Sequence, residues 1–120
     1  MAHKTGQDLI DEAKQQIDEV TPEQVREMQE RNEPVVYLDV RELNEWNLGR
    51  LPHAIHLTRG NLETKVEGMI DRGQRIVIYC ARGNRSALAA LTMKQMGYAN
   101  VASMARGFQG WADIDGEVEG

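Results

Sequence analysis

Chemistry in this chain concentrates around one thiol. Cys80, the sole cysteine, closes the apolar run Ile76-Val77-Ile78-Tyr79. It is followed by the polar loop Ala81-Arg82-Gly83-Asn84-Arg85 and then by a helix-forming stretch, Ser86 to Met96. That order suits a nucleophilic thiolate, because cationic side chains and a helix N-terminus both stabilise the sulfur anion. Successive backbone N–H groups of such a loop point inward and cradle an anion. A lone cysteine is ordinarily a buried structural thiol. The strand end and the arginine loop favour a catalytic Cys80 instead.

The loop residues divide by what their side chains can do. Arg85 carries a guanidinium fork suited to an oxyanion, against the plainer reading of a solvated charge. Arg82 has the same two options. Gly83 permits a positive φ or a close approach of backbone to ligand. Ser86 is first a helix N-cap and second a hydroxyl donor to the sulfur. Ala81 and Asn84 complete the anion-binding loop.

Around this segment the chain alternates strands and helices. Residues 7–20 carry Ile10, Ala13, Ile17 and Val20 on one stripe and form an amphipathic helix candidate, an extension preceding a domain over 21–120. Thr21-Pro22-Glu23-Gln24 reads as a capped helix start. Val35 to Val40 is a continuous apolar strand, as in a sheet buried on both faces. A short helix over 42–48 ends at Gly49, and a short strand covers 54–57. Residues 61–72 carry Leu62, Val66, Met69 and Ile70 at helical spacing and stop at Gly73. Strands over 75–80 and 101–104 flank the helix over 86–96, which Gly97 stops. A last helical turn covers 109–114. The alternation predicts a parallel sheet with helices on both faces, whose ligands bind at the carboxyl ends of the strands. Cys80 lies at one such end.

Composition narrows the class. The chain has 120 residues, 41% hydrophobic and 28% charged, as in a globular single domain. No apolar run approaches the ~20 residues of a membrane span, so no membrane partner is expected. The N-terminus has no apolar signal core, and the expected location is cytoplasmic. One cysteine excludes an intramolecular disulfide and a CxxC redox pair. Net charge is −5 overall, but residues 34–112 carry +4 between acidic ends. A small anion therefore suits the central body. Aromatics are only 5% and the basic residues are scattered, so no nucleic-acid surface is visible. His53 and His56 lack partners at metal-ligand spacing. Asp113-Ile114-Asp115-Gly116 has part of a calcium loop but not its ligand set, and reads as a solvated tail. No metal or cofactor is expected.

Three segments, in order, resemble the single-domain rhodaneses, the thiosulfate sulfurtransferase family. The first is Leu38-Asp39-Val40-Arg41-Glu42, with Glu45-Trp46 and Gly49-Arg50-Leu51-Pro52-His53-Ala54-Ile55. The second is Ile76 through Ala87 around Cys80. The third is Gly97-Tyr98 through Val101, then Gly107-Phe108 and Trp111. Together the resemblance runs from about Thr21 to about Gly116. It implies a three-layer α/β/α domain with a central, mainly parallel five-stranded sheet. It also implies that Cys80 takes the outer sulfur of thiosulfate, releases sulfite and passes the sulfur to cyanide or a thiol. A persulfide carrier or partner-binding module is the alternative within the fold. Cysteine phosphatases enclose five residues between Cys and Arg, whereas Cys80 and Arg85 enclose four, which disfavours phosphate. Arg41 adds positive field and Trp46 a possible pocket rim, although both, with Asp39, Phe108 and Trp111, read first as packing or loop-stabilising residues. Two positions depart from the family pattern: Arg106 stands where the closing segment usually has a first glycine, and Ala81 follows the cysteine where a basic residue is frequent. A monomer is expected.

Overall fold

The computed structural model describes residues 2–120. Capping chemistry starts the first two helices. Thr5 and Asp8 form a reciprocal capping box that opens α1, Gly6–Gln16. Thr21 and Gln24 form a second, and Pro22 begins α2, Pro22–Glu30.

Five strands make one sheet: β1, Asp18–Val20; β2, Val35–Asp39; β3, Ile55–His56; β4, Arg75–Tyr79; and β5, Val101–Met104. Their order is β1-β5-β4-β2-β3, and every pairing is parallel. Between them run α3, Leu43–Leu48; α4, Leu62–Lys65; and α5, Asn84–Gln95, with α6, Gly107–Asp113, after the last strand.

Two apolar layers sandwich the sheet. One joins Leu38, Ile76, Ile78 and Val101 to Leu62, Val66, Ala89, Ala90 and Met93. The other joins Tyr37, Val77 and Tyr79 to Val25, Met28, Met104 and Trp111. Alternate residues of β2 and β4 face opposite layers, which is why both strands read as unbroken apolar runs. The three-layer α/β/α arrangement follows from burying both faces.

Three expectations are corrected. The helix read over 7–20 ends at Gln16, and Asp18–Val20 is an edge strand paired in register with Ala102–Met104. The helix read over 61–72 is one α-turn, Leu62–Lys65, between two short 3-10 segments. The buried Tyr98 hydroxyl donates to the Val66 and Ile70 carbonyls at 3.4 and 2.7 Å, and the Val66 carbonyl also accepts from Met69 and Ile70 N–H. The tail beyond Asp113 packs back on the domain. Trp111 Nε1 donates to the Glu117 carbonyl at 2.8 Å, and Glu119 forms a β-bridge with Arg50.

Candidate active site

β4 ends at Tyr79, and Cys80 is the next residue, flanked in the sheet by the C-terminal ends of β2 and β5. The chain then turns at Gly83, whose φ of +92° lies in the left-handed region. That turn aims backbone amides at the sulfur. Gly83 N–H donates to Cys80 Sγ at 3.1 Å and Ser86 N–H donates at 3.3 Å. Neutral donors converging on one sulfur at the first turn of α5 make a seat for a thiolate. Gly83 is also packed closely: a Cβ there would lie 3.2 Å from Arg106 N.

Gly83, not Ser86, precedes the helix, so the N-cap expected at Ser86 is displaced by three residues. Ser86 lies within the first turn, fully buried, with its Oγ 3.4 Å from Cys80 Sγ. It also shares a 2.7 Å hydrogen bond with Ser103 Oγ of β5, itself fully buried. When the sulfur is a thiol it can donate to Ser86. When it is a thiolate, Ser86 can donate to it while accepting from Ser103. Ser103 carried no signal in the sequence, because only the β4–β5 pairing brings it to the sulfur.

The far side of the loop is held by α6. Phe108 N–H donates to the Cys80 carbonyl at 2.8 Å and Gln109 N–H to the Ala81 carbonyl at 3.0 Å. Gly107 has φ +52°, and a Cβ there would overlap the Cys80 carbonyl oxygen. Arg106 also takes a left-handed backbone, φ +63°, and its side chain pairs with Glu23 of α2 at 2.9 Å. A glycine would meet that φ without strain, which is the physical content of the departure at this position.

An open cleft of about 350 Å³ lies over the loop, lined by Arg41, Glu45, Ala81, Arg82, Phe108 and Gln109 among others. A larger hollow, lined by Val35, Gly73 and Arg75, lies at the opposite ends of β2 and β4 and holds none of the candidate residues. Cys80 is only 1% exposed, so the sulfur sits beneath the loop rather than on its rim.

The cationic candidates differ in how they are engaged. Arg85 reaches across to α3, and its Nη1 and Nη2 donate to the two carboxylate oxygens of Glu45 at 3.2 and 3.4 Å. Burial depresses the Arg85 pKa, but the Glu45 hydrogen bond and charge, with the charge of Cys80, outweigh it and raise it. Burial likewise raises Glu45. The hydrogen bonds from Arg85 and from Glu42 N–H, and the charges of Arg85 and Arg41, prevail and hold its carboxyl below the ordinary range. Arg82 is exposed and, among the described residues, makes no ion pair.

Arg41 lines the cleft but is already occupied. Its guanidinium is 2.7 Å from Asp39 Oδ2, donates to the Gly49 carbonyl and lies 4.3 Å over the Phe108 ring. Burial pushes the Tyr79 phenol up, reinforced by Asp39. Its hydroxyl accepts from Leu51 N–H at 3.2 Å, tying the same corner. Arg41 is thus a staple of the strand ends. Trp46 does not line the cleft; it stacks on His56 at 5.1 Å and on the Arg50 guanidinium at 4.5 Å. These two stacks place Trp46 among packed side chains. Asn84 accepts from Lys14 of α1 at 3.3 Å, so the N-terminal helix touches the loop. Glu45 and Lys14 were both missed by sequence reasoning, being 40 and 70 residues from their partners.

Among the described residues no group of three metal-ligating side chains is assembled, and no helix is long and apolar enough to cross a membrane.

Residues 21–114 match the family described as "Rhodanese-like domain". The chain is 30% identical over 95 residues to "Putative sulfur carrier protein YrkF" of Bacillus subtilis, covering 79% of this chain and 51% of that protein. The chain therefore spans about half the length of that relative. It is 32% identical over 93 residues to the thiosulfate sulfurtransferase GlpE of Actinobacillus succinogenes, covering 78% and 82% of the two chains. Among solved structures, a Rhodopseudomonas palustris protein of unknown function, described as "Possible Tyrosine Phosphatase", superposes with a TM-score of 0.89. Its identity is 30%, over 99% of this chain and 97% of that one.

Proposed function

The chain belongs to the rhodanese-like domain family, and from that membership we propose that it is a sulfurtransferase that works through a persulfide on Cys80, with thiosulfate as donor. The observation that carries this reading is the seat of the sulfur. Cys80 Sγ accepts from two backbone amides at 3.1 and 3.3 Å, beneath a four-residue loop that ends in Arg85.

In the first half-reaction the Cys80 thiolate attacks the outer sulfur of thiosulfate. A sulfur–sulfur bond forms to Cys80, and the bond to the central sulfur breaks, its electron pair leaving with sulfite. In the second, cyanide or a thiolate attacks the terminal sulfur of the persulfide, and the Cys80 thiolate departs. No redox partner or cofactor is needed. Arg85, with Arg82 on the open side of the cleft, would hold the donor's oxygens. The amides of Gly83 and Ser86 would stabilise the sulfur anion before and after transfer. These 120 residues hold no second cysteine, so the acceptor of the persulfide sulfur lies outside them.

Mass spectrometry of the protein after thiosulfate treatment tests the donor step. One added sulfur on Cys80 is expected, and none in Cys80→Ser, which should also form no thiocyanate. Retained turnover in that variant would falsify the assignment.

A carrier reading has one observation in its favour: the thiol is 1% exposed, as suits a sulfur sheltered until a partner arrives. A carrier would gain sulfur yet turn over cyanide poorly. Phosphatase chemistry is disfavoured by the loop, which encloses one residue fewer than a phosphate cradle; aryl phosphate hydrolysis by the purified protein would revive it.

A further inference from the structure

The cleft contains a carboxylate where an anionic ligand must arrive. Both oxygens of Glu45 engage the Arg85 guanidinium, and the two side chains are 30% and 36% exposed. Glu45 is also anchored independently. Its Oε1 accepts from Glu42 N–H at 3.1 Å in the first turn of α3, so its position does not depend on Arg85. Arg41 and Arg82 line the cleft, and Arg85 meets it through the lining residue Glu45; Arg41 is committed to Asp39 and Arg85 to Glu45. Arg82 alone makes no ion pair among the described residues. The positive field that the loop sequence suggests is thereby largely cancelled from outside the loop.

We propose that Glu45 is a specificity-determining residue of this site: it competes with the donor's oxyanion end for Arg85 and so selects against doubly charged donors. The inference rests on the reading of Arg85 given above and deepens it. Donor binding exchanges one carboxylate for another oxyanion on the same guanidinium, beside a Glu45 charge that stays in place. The resulting repulsion scales with ligand charge. It therefore penalises thiosulfate, a dianion, more than a singly charged donor such as methanethiosulfonate.

Glu45→Gln tests this, because the amide oxygen can still accept from Glu42 N–H while the charge is gone. The variant is expected to gain about tenfold in kcat/KM for thiosulfate and about threefold for methanethiosulfonate, the ratio that one unit of ligand charge implies. The cyanide half-reaction supplies the common reference. An unchanged or lower kcat/KM for thiosulfate overturns the proposal, since Glu45 would then only position Arg85. An equal gain for both donors also overturns it, pointing to looser access. Alkylation of Cys80 gives a readout that needs no sulfur transfer. Iodoacetate and iodoacetamide meet the same thiolate, so their rate ratio reads the field felt by a negative reagent. That ratio should rise about threefold in Glu45→Gln, and a constant ratio refutes the field. If wild-type protein takes no sulfur from thiosulfate, the functional reading falls while the alkylation ratio still decides the role of Glu45.

Discussion

The Ser86–Ser103 pair under the thiol separates structural from chemical roles within one hydrogen-bonded unit. Both side chains are fully buried, and among the described residues each hydroxyl's partners lie within the set Cys80, Ser86 and Ser103. Ser86→Ala leaves Ser103 buried without a partner, at a cost of about 1–3 kcal/mol in stability. It also takes a hydroxyl donor from the sulfur anion. At 3.4 Å that contact lies at the weak end of charge-assisted bonds, about 1.5 kcal/mol, or roughly tenfold in the rate of sulfur uptake. Ser103→Ala removes only the outer partner, so Ser86 can still donate to sulfur and uptake should stay within about threefold of wild type. The double variant removes both hydroxyls and leaves no orphan. It should be less destabilised than the two singles added together, by about 1 kcal/mol, while taking up sulfur as slowly as Ser86→Ala. Urea unfolding followed by tryptophan fluorescence gives the stabilities, and single-turnover mass spectrometry of the persulfide gives the rates. Wild-type uptake by Ser86→Ala would show that its hydroxyl does not support the sulfur. Strict additivity of the stabilities would show that the two serines are not one unit.

Other consequences follow from the same geometry. Gly107→Ala must place a Cβ against the Cys80 carbonyl and 2.7 Å from the Ala81 carbonyl carbon, at a left-handed φ. It should cost about 2–4 kcal/mol and displace the loop, seen as a lower urea midpoint together with lost persulfidation; wild-type stability would refute the contact. Arg85→Ala should raise the thiosulfate KM about 10–100-fold, because it removes a charged donor and leaves Glu45 facing the ligand unpaired. An unchanged KM would remove Arg85 from the binding site. The depressed Glu45 carboxyl also sets a pH dependence. A lowered pKa adds stability above the unfolded carboxylate value near ~4.3, lost as pH falls through the lower folded value. The stability gap between wild type and Glu45→Gln should therefore hold from neutral pH to about 5 and close in stronger acid; a gap that closes near neutrality would contradict the pairing.

What is local could be read from the residues alone. Strand, thiol, loop and helix around Cys80 are contiguous, so their order and the count of four residues to Arg85 can be read directly. The capping box of Thr21 and Gln24, the stop at Gly97 and the unbroken apolar strands β2 and β4 also depend on near neighbours or on burial of both sheet faces. Tertiary structure decided what arrives from elsewhere in the chain. β1 is three residues, two of them acidic, and becomes a strand only because β5 offers it a parallel partner. The segment after α4 is tied down by Tyr98, distant in sequence, whose hydroxyl donates to the Val66 and Ile70 carbonyls. Ser103, Glu45 and Lys14 converge on the loop through strand pairing and helix docking, which composition and periodicity cannot encode. Most of all, Arg85 reads in the sequence as a free cation beside a nucleophile. Only the fold brings α3 close enough to set a carboxylate against it, and a charge is defined as much by its partner as by its own side chain.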